Sequence, residues 1–323
     1  MFGQIASVMD NALLQGLTYG IAVLGVSIAF RALRYPDLTA DGSFLLGAAV
    51  FASAIDLGWT WPFAMAAVIA VGAGCGLVTA ALNSRVGVNR LLSGILTSMM
   101  CYSVAFWVLS GRSNVNVADK ASVFGIAEQL ESQILPDFSM LHPVTIIELL
   151  AVSGLVMFVV HRLLTSDLGI ILRAMGDNED LVESTGRQPK TYVMIGLAVA
   201  NGAVGLSGGL VVARQGFADV NMGFGVIITF VAALVIGEEL LRLLGWDPAR
   251  NLKARVLSGL VGGCVYFLLY LTILRLSILG YLPIRIQPTD LKLMSAGIVV
   301  AFVFLRYRTR RSRTIAKEEF LPI

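Results

Sequence analysis

Five stretches of this chain carry no charged side chain over a length that matches a lipid bilayer: residues 12–30, 60–82, 91–110, 192–213 and 256–274. A helix needs about 20 apolar residues to cross the hydrocarbon core. A sixth stretch, 144–160, is interrupted only by Glu148, and three shorter ones lie at 42–55, 222–237 and 293–305. Composition points the same way. Of 323 residues 57% are hydrophobic and 14% are charged, where a soluble chain carries roughly 25% charged residues. The expected fold class is all-α, a polytopic transmembrane helical bundle of about 8–10 membrane segments, two of them short or re-entrant. The membrane domain spans 1–305 and a basic tail follows at 306–323.

Basic residues set the orientation. Arg31 and Arg34, Arg85 and Arg90, the stretches 161–190 and 242–255, and the tail fall on one side when every segment crosses. Lys120, Arg214, Arg275 and Arg285 are the exceptions. The positive-inside rule makes that side cytoplasmic, with the N-terminus outside, the C-terminus inside and the loop 111–142 external. Five tail arginines, Arg306, Arg308, Arg310, Arg311 and Arg313, directly follow an apolar run, which marks a juxtamembrane anchor and not a nucleic-acid site. Cys75, Cys101 and Cys264 sit inside apolar runs without ligand spacing, as packing residues and not a disulfide framework or metal site. The first residues lack a basic n-region and a clear cleavage site, so they lead into a retained helix.

Gly72 with Gly76, Gly205 with Gly209, and Gly259 with Gly263 have the spacing that lets helix backbones approach in lipid. A short internal repeat stands out as well. Tyr35-Pro36-Asp37-Leu38 is followed by Gly42 and a short apolar segment, and Phe217-Ala218-Asp219-Val220 by Gly223 and another. On the topology above they enter from opposite sides, and short glycine-interrupted segments at matching positions of two halves point to a transport pathway. Asp37, Thr39, Asp41, Ser43, Asp219 and Asn221 are the candidate pathway residues, because a carboxylate in a bilayer needs a wet cavity or a partner. Interfacial pairing of Asp37 with Arg34 and of Asp219 with Arg214 is the competing expectation. Glu238 and Glu239 fall at the cytoplasmic mouth.

The cytoplasmic loop 165–191 has apolar Leu168, Ile171, Leu172 and Met175 at helical spacing. Gly176 is placed to end that helix in a left-handed conformation. Asp177 is placed to cap a second short helix with Asp180 at its third position, and Gly186 and Pro189 close it. Leu181 and Val182 are expected to be exposed and to dock on a partner, although an ordinary capped loop helix has the same signature.

The block L-G-I-I-L-R-A-M-G-D-N-E-D-L-V-E-S-T-G at 168–186, followed by N-G-A-V-G-L-S-G-G-L, resembles the coupling region of ATP-binding-cassette permeases. The branched-chain amino acid and ribose permease superfamily is the most similar group. Residues 36–50 and 215–225 resemble its tryptophan/tyrosine-type branch, and the likeness covers roughly Thr18 to Glu239. The resemblance implies a bacterial inner-membrane importer working by alternating access. It implies two permease copies, a homodimer in that branch, two ATPase subunits and one external solute-binding protein. An amino acid or similar small solute is the implied cargo. Arg173, Met175, Gly176, Asp177, Asn178, Glu179, Asp180 and Leu181 are the implied contact with the ATPase. The chain has no G-x-x-x-x-G-K-[ST] and no Gly-Lys pair, so no ATP or magnesium is expected on it and hydrolysis falls to the partner. A secondary carrier driven by an ion gradient is the alternative that shares the repeat and the intramembrane carboxylates. A membrane enzyme is disfavoured, for want of clustered His, Asp or Arg at a membrane face.

Overall fold

The computed structural model describes residues 2–118 and 142–279 continuously, together with Phe124, Asp290, Leu293, residues 295–297 and Val300. The expected segment 293–305 lies largely outside the described residues, as does most of the loop 111–142; the basic tail lies wholly outside them. What is described is all-α apart from one small ribbon. The long helices are α1 (Phe2–Ser27, continued by a π turn at Ile28–Ala32), α2 (Thr39–Asp56), α3 (Trp61–Ser84) and α4 (Arg90–Val108). Then come α5 (Pro143–Thr165), two short helices α6 (Asp167–Asp177) and α7 (Glu179–Ser184), and α8 (Pro189–Gln215). A 3-10 turn at Val220–Gly223 precedes α9 (Val226–Leu243), and α10 is Leu252–Ile278. Among the described residues, six helices are long and apolar enough to cross a membrane: α1, α3, α4, α5, α8 and α10. The expected short segments are α2 and α9, each 18 residues long.

Between helices in lipid there is no hydrophobic driving force, so close backbone packing has to supply the association. The glycines do this. A Cβ on Gly72 or Gly76 of α3 would run into the carbonyls of Asn201 or Leu197 on α8. On α10, one at Gly263 would meet Gly16 O of α1 at 2.6 Å, and one at Gly259 would meet Leu24 at 3.0 Å. A Cβ on Gly205 would lie 3.1 Å from the Val68 carbonyl oxygen and 3.2 Å from Gly72 Cα of α3, and one on Gly209 would lie 3.2 Å from the Val68 side chain. All three glycine pairs legible in the sequence therefore lie at helix contacts. Further ones join α2 to α8 (Gly47, Gly208) and α9 to α10 (Gly237, Gly262).

The contacts form two interlocked triplets. Helices α2 and α3 pack chiefly on α8, α10 packs on α1, α9 packs chiefly on α10 and less on α1, and α1 packs on α8. The third helix of each triplet, α1–α2–α3 and α8–α9–α10, thus packs on the first helix of the other; α2 does the same, whereas α9 stays mainly with α10. This is the spatial form of the repeat seen as two short Asp-containing motifs.

The bundle has two distinct ends. At one, strands β1 (Asn114–Asn116) and β2 (Phe217–Asp219) pair antiparallel, with Val115 opposite Ala218, and Arg112 binds Asp56 at 3.0 Å. At the other, Arg34 pairs with Asp177 at 2.6 Å, Arg90 with Glu179, and Arg31 with Glu238 at 2.6 Å. Both Arg90 and Arg112 flank α4, so these ends are separated by its length. Inside the bundle the thiols of Cys75 and Cys101 approach to 3.3 Å, joining α3 to α4.

Candidate functional site

Helices α2 and α9 both begin inside the bundle, and their N-terminal ends meet. After α1 the chain doubles back through residues 33–38, with Arg34 in a left-handed conformation (φ 49°). Asp37 then accepts the backbone N–H of Thr39 at 2.9 Å, just as Asp219 accepts that of Asn221 at 2.7 Å. The two halves of the repeat therefore share the same turn, in which a short carboxylate satisfies the N–H two residues on. In α2 the next acidic residue, Asp41, reaches across to the other half. Its carboxylate accepts the N–H groups of Gly225 and Ile227 at 3.0 and 2.7 Å, capping α9 from outside its own sequence. A helix N-terminus carries unsatisfied N–H groups and partial positive charge, which offsets the cost of a carboxylate at this depth.

A cavity of about 630 Å³ opens where these ends converge. Leu38, Asp41, Gly42 and Leu45 of the α2 end, Ile95, Ser98, Met99 and Tyr102 of α4, and Asn221, Gly223, Phe224 and Ile227 of the α9 end line it. Its wall is mostly apolar and aromatic with a few polar groups, the composition of a small-molecule site. Phe224 is 69% exposed and Met99 66%, so the cavity opens on the flank of the chain.

Of the other candidate pathway residues, Asp37, Thr39 and Ser43 lie in separate, buried hydrogen bonds. Asp37 accepts a hydrogen bond from the Asn201 amide at 2.6 Å, and Ser43 donates to the Asn201 carbonyl oxygen at 2.7 Å. The Thr39 and Thr79 hydroxyls lie 2.6 Å apart. Asp37, Thr39 and Ser43 thus tie α2 to α8 and α3 behind the cavity, while Asp41 and Asn221 face it. Arg34 pairs with Asp177 and Asp37 turns to Asn201, so the alternative Asp37–Arg34 pairing is absent; Asp219 likewise spends its bond on Asn221. Asn201 was not among the candidates. Its signal was present, since an amide in the middle of an otherwise apolar span demands a polar partner.

The loop 165–191 forms two helices with a different boundary from the expected one. Gly176 does not end α6 in a left-handed turn; it stays helical because its missing side chain lets it press on the Ala32 carbonyl. Helix α6 therefore runs on through Asp177, and Asn178, not Asp177, caps α7 by accepting the Leu181 N–H at 3.1 Å. Leu181 is 57% exposed as expected, whereas Val182 is buried. Of the residues implied in the ATPase contact, Asp177, Asn178, Asp180 and Leu181 are exposed, Arg173, Gly176 and Glu179 are half-buried, and Met175 is buried. Gly186 (φ 76°) ends the element and Pro189 opens α8.

Residues 8–304 match the family described as the branched-chain amino acid transport system permease component. An uncharacterised protein of Rickettsia prowazekii (strain Madrid E) is 33% identical over 294 residues, covering 91% of this chain and 95% of its own. A tyrosine transport system permease protein of Clostridioides difficile (strain R20291) is 30% identical over 294 residues, covering 91% and 89%. No solved structure matches the chain significantly.

Proposed function

Since the chain belongs to the branched-chain amino acid transport permease family, a multi-pass membrane subunit of ABC-type transport, we propose that it admits an amino acid or similar small solute by alternating access. The observation that carries this reading is the meeting of the α2 and α9 N-terminal ends on one cavity. Broken helices whose ends face a shared cavity are where transporters place the solute site. The tyrosine permease relative supports an amino acid as cargo.

The cavity opens sideways through Phe224 and Met99, and a second copy of the chain closes it into a path between two permeases. Energy arrives from a separate ATPase subunit that docks on Leu181 and the exposed Asp177, Asn178 and Asp180; no cofactor is assigned to this chain. From there a push is transmitted without slack. Asp177 and Glu179 hold Arg34 and Arg90 at the ends of α1 and α4, and Gly176 rests on Ala32. The arginine-rich end is then cytoplasmic, in accord with the positive-inside rule, and the ribbon end faces outward to a solute-binding protein.

The test is purification of the affinity-tagged chain from native membranes in mild detergent. An ATPase subunit is expected in about equal amount, with solute uptake in liposomes dependent on ATP. A chain that purifies alone and transports under an ion gradient overturns the reading in favour of a secondary carrier.

A further inference from the structure

At the arginine-rich end a second cavity, of about 360 Å³, lies between the end of α1, the end of α9 and the start of α10. Four guanidinium groups line it, Arg31, Arg34, Arg242 and Arg255, against a single lining carboxylate, Glu238. Three of the four are already paired. Arg31 grips Glu238 with both Nε and Nη2 at 2.6 Å, Arg34 binds Asp177, and Arg242 binds Glu239. Arg255 differs. Its Nε and Nη2 donate only to the backbone carbonyls of Pro248 and Ala249, at 3.1 and 3.3 Å, and among the described residues no carboxylate pairs with it. Burial and the nearby Arg173 and Arg31 disfavour its charge, and Glu238 and Asp177 offset them only at a distance, without contact. A half-buried guanidinium among like charges is unfavourable unless an anion joins it.

The chain that links the lining residues Arg242 and Pro248 supplies the second observation. Leu243 is 84% exposed, Leu244 69% and Trp246 52%, all in the turn that leaves α9 beside Arg242. Exposed leucines and a tryptophan suit the boundary between headgroups and acyl chains, and basic pockets between helices suit phosphate headgroups. We propose that this cavity binds the phosphate of an anionic phospholipid, with Arg255 and Arg242 holding the headgroup and Leu243, Leu244 and Trp246 against its chains. An acidic peptide would use the arginines but would gain nothing from the exposed leucines and tryptophan beside them.

The full-length permease, delipidated in detergent, is titrated with phosphatidylglycerol, phosphatidylcholine or inorganic phosphate and followed by native mass spectrometry and thermal unfolding. Phosphatidylglycerol is expected to bind in preference to phosphatidylcholine and to raise the unfolding midpoint. Arg255→Gln, and separately the more exposed change Leu243→Ser with Leu244→Ser, should each weaken that binding, the former by about ten-fold, as for loss of one charge-assisted hydrogen bond. Phosphatidylcholine adducts should not change. The two variants perturb the site through different chemistry, so misfolding of one leaves the other decisive. Equal phosphatidylglycerol binding by wild type and both variants overturns the proposal. Competition by inorganic phosphate with no lipid preference overturns it in favour of a free-anion site. Variants that lose a co-purifying subunit while binding phosphatidylglycerol normally overturn it in favour of a protein interface.

Discussion

Asp41 belongs by sequence to α2 and by hydrogen bonding to α9, whose first N–H groups it accepts. Losing a side-chain cap costs a helix about 1–2 kcal/mol. Asp41→Ala should therefore lower the thermal unfolding midpoint in detergent and abolish uptake, and Asp41→Asn, which keeps one acceptor, should fall between it and wild type. Equal midpoints for all three would show that the cap contributes nothing. The sequence located this residue through its place in a broken apolar segment, but not its partners 184 and 186 positions away. The same holds for Asp37. Its local turn, shared with Asp219, is readable from the repeat, while the bond to Asn201 across 164 positions depends on how α2 and α8 meet. Short-range chemistry was legible because the residues that make it are neighbours; which carboxylate faces the cavity was set by packing.

Among the helices, glycine position separates contact from open surface. A Cβ at Gly76 would collide with the Leu197 carbonyl, whereas at Gly74 nothing lies within 4 Å. Gly76→Ala should cost about 1–3 kcal/mol through forced backbone separation. Gly74→Ala should be neutral or stabilising, since alanine exceeds glycine in helix propensity by about 1 kcal/mol. Thermal unfolding of the pair in one detergent checks both. Leu181→Pro removes the N–H that Asn178 caps and should uncouple ATP hydrolysis from uptake while leaving the bundle folded, with the midpoint lowered only by the loss of that cap. Normal substrate-stimulated hydrolysis and uptake in that variant would remove α7 from the coupling path. Helix existence and approximate ends were legible from apolar runs, because burial in lipid imposes a length. The cap of α7 was misplaced by one residue because Gly176 answers to Ala32, a tertiary contact that overrides its local preference. Strands of three residues, as in β1 and β2, are too short to show alternation.

At the scale of the whole molecule, neither triplet of helices is self-contained. Helices α2 and α3 find their main partner in α8, and α10 finds its own in α1. A gene divided between Leu141 and His142 should give an N-terminal half that forms no monodisperse particle alone, while the two halves co-expressed should purify together. A stable, monodisperse N-terminal half would contradict the interlocking. The repeat was visible in sequence as two four-residue echoes, but their exchange of partners was not, since no local pattern records which copy of a helix another will choose.

That exchange also imposes an order on biogenesis. Helices enter the membrane as the ribosome delivers them, and Asn201 follows Asp37 by 164 residues. At roughly 5–20 residues per second, Asp37 waits about 8–30 s for its amide. During that interval α2 and α3 sit beside lipid or the insertion machinery with a carboxylate and a row of bare glycines unclaimed. The nascent first half is thus a substrate for membrane quality control, and ribosomal pausing before α8 would lower the yield of permease with every residue of the mature protein unchanged.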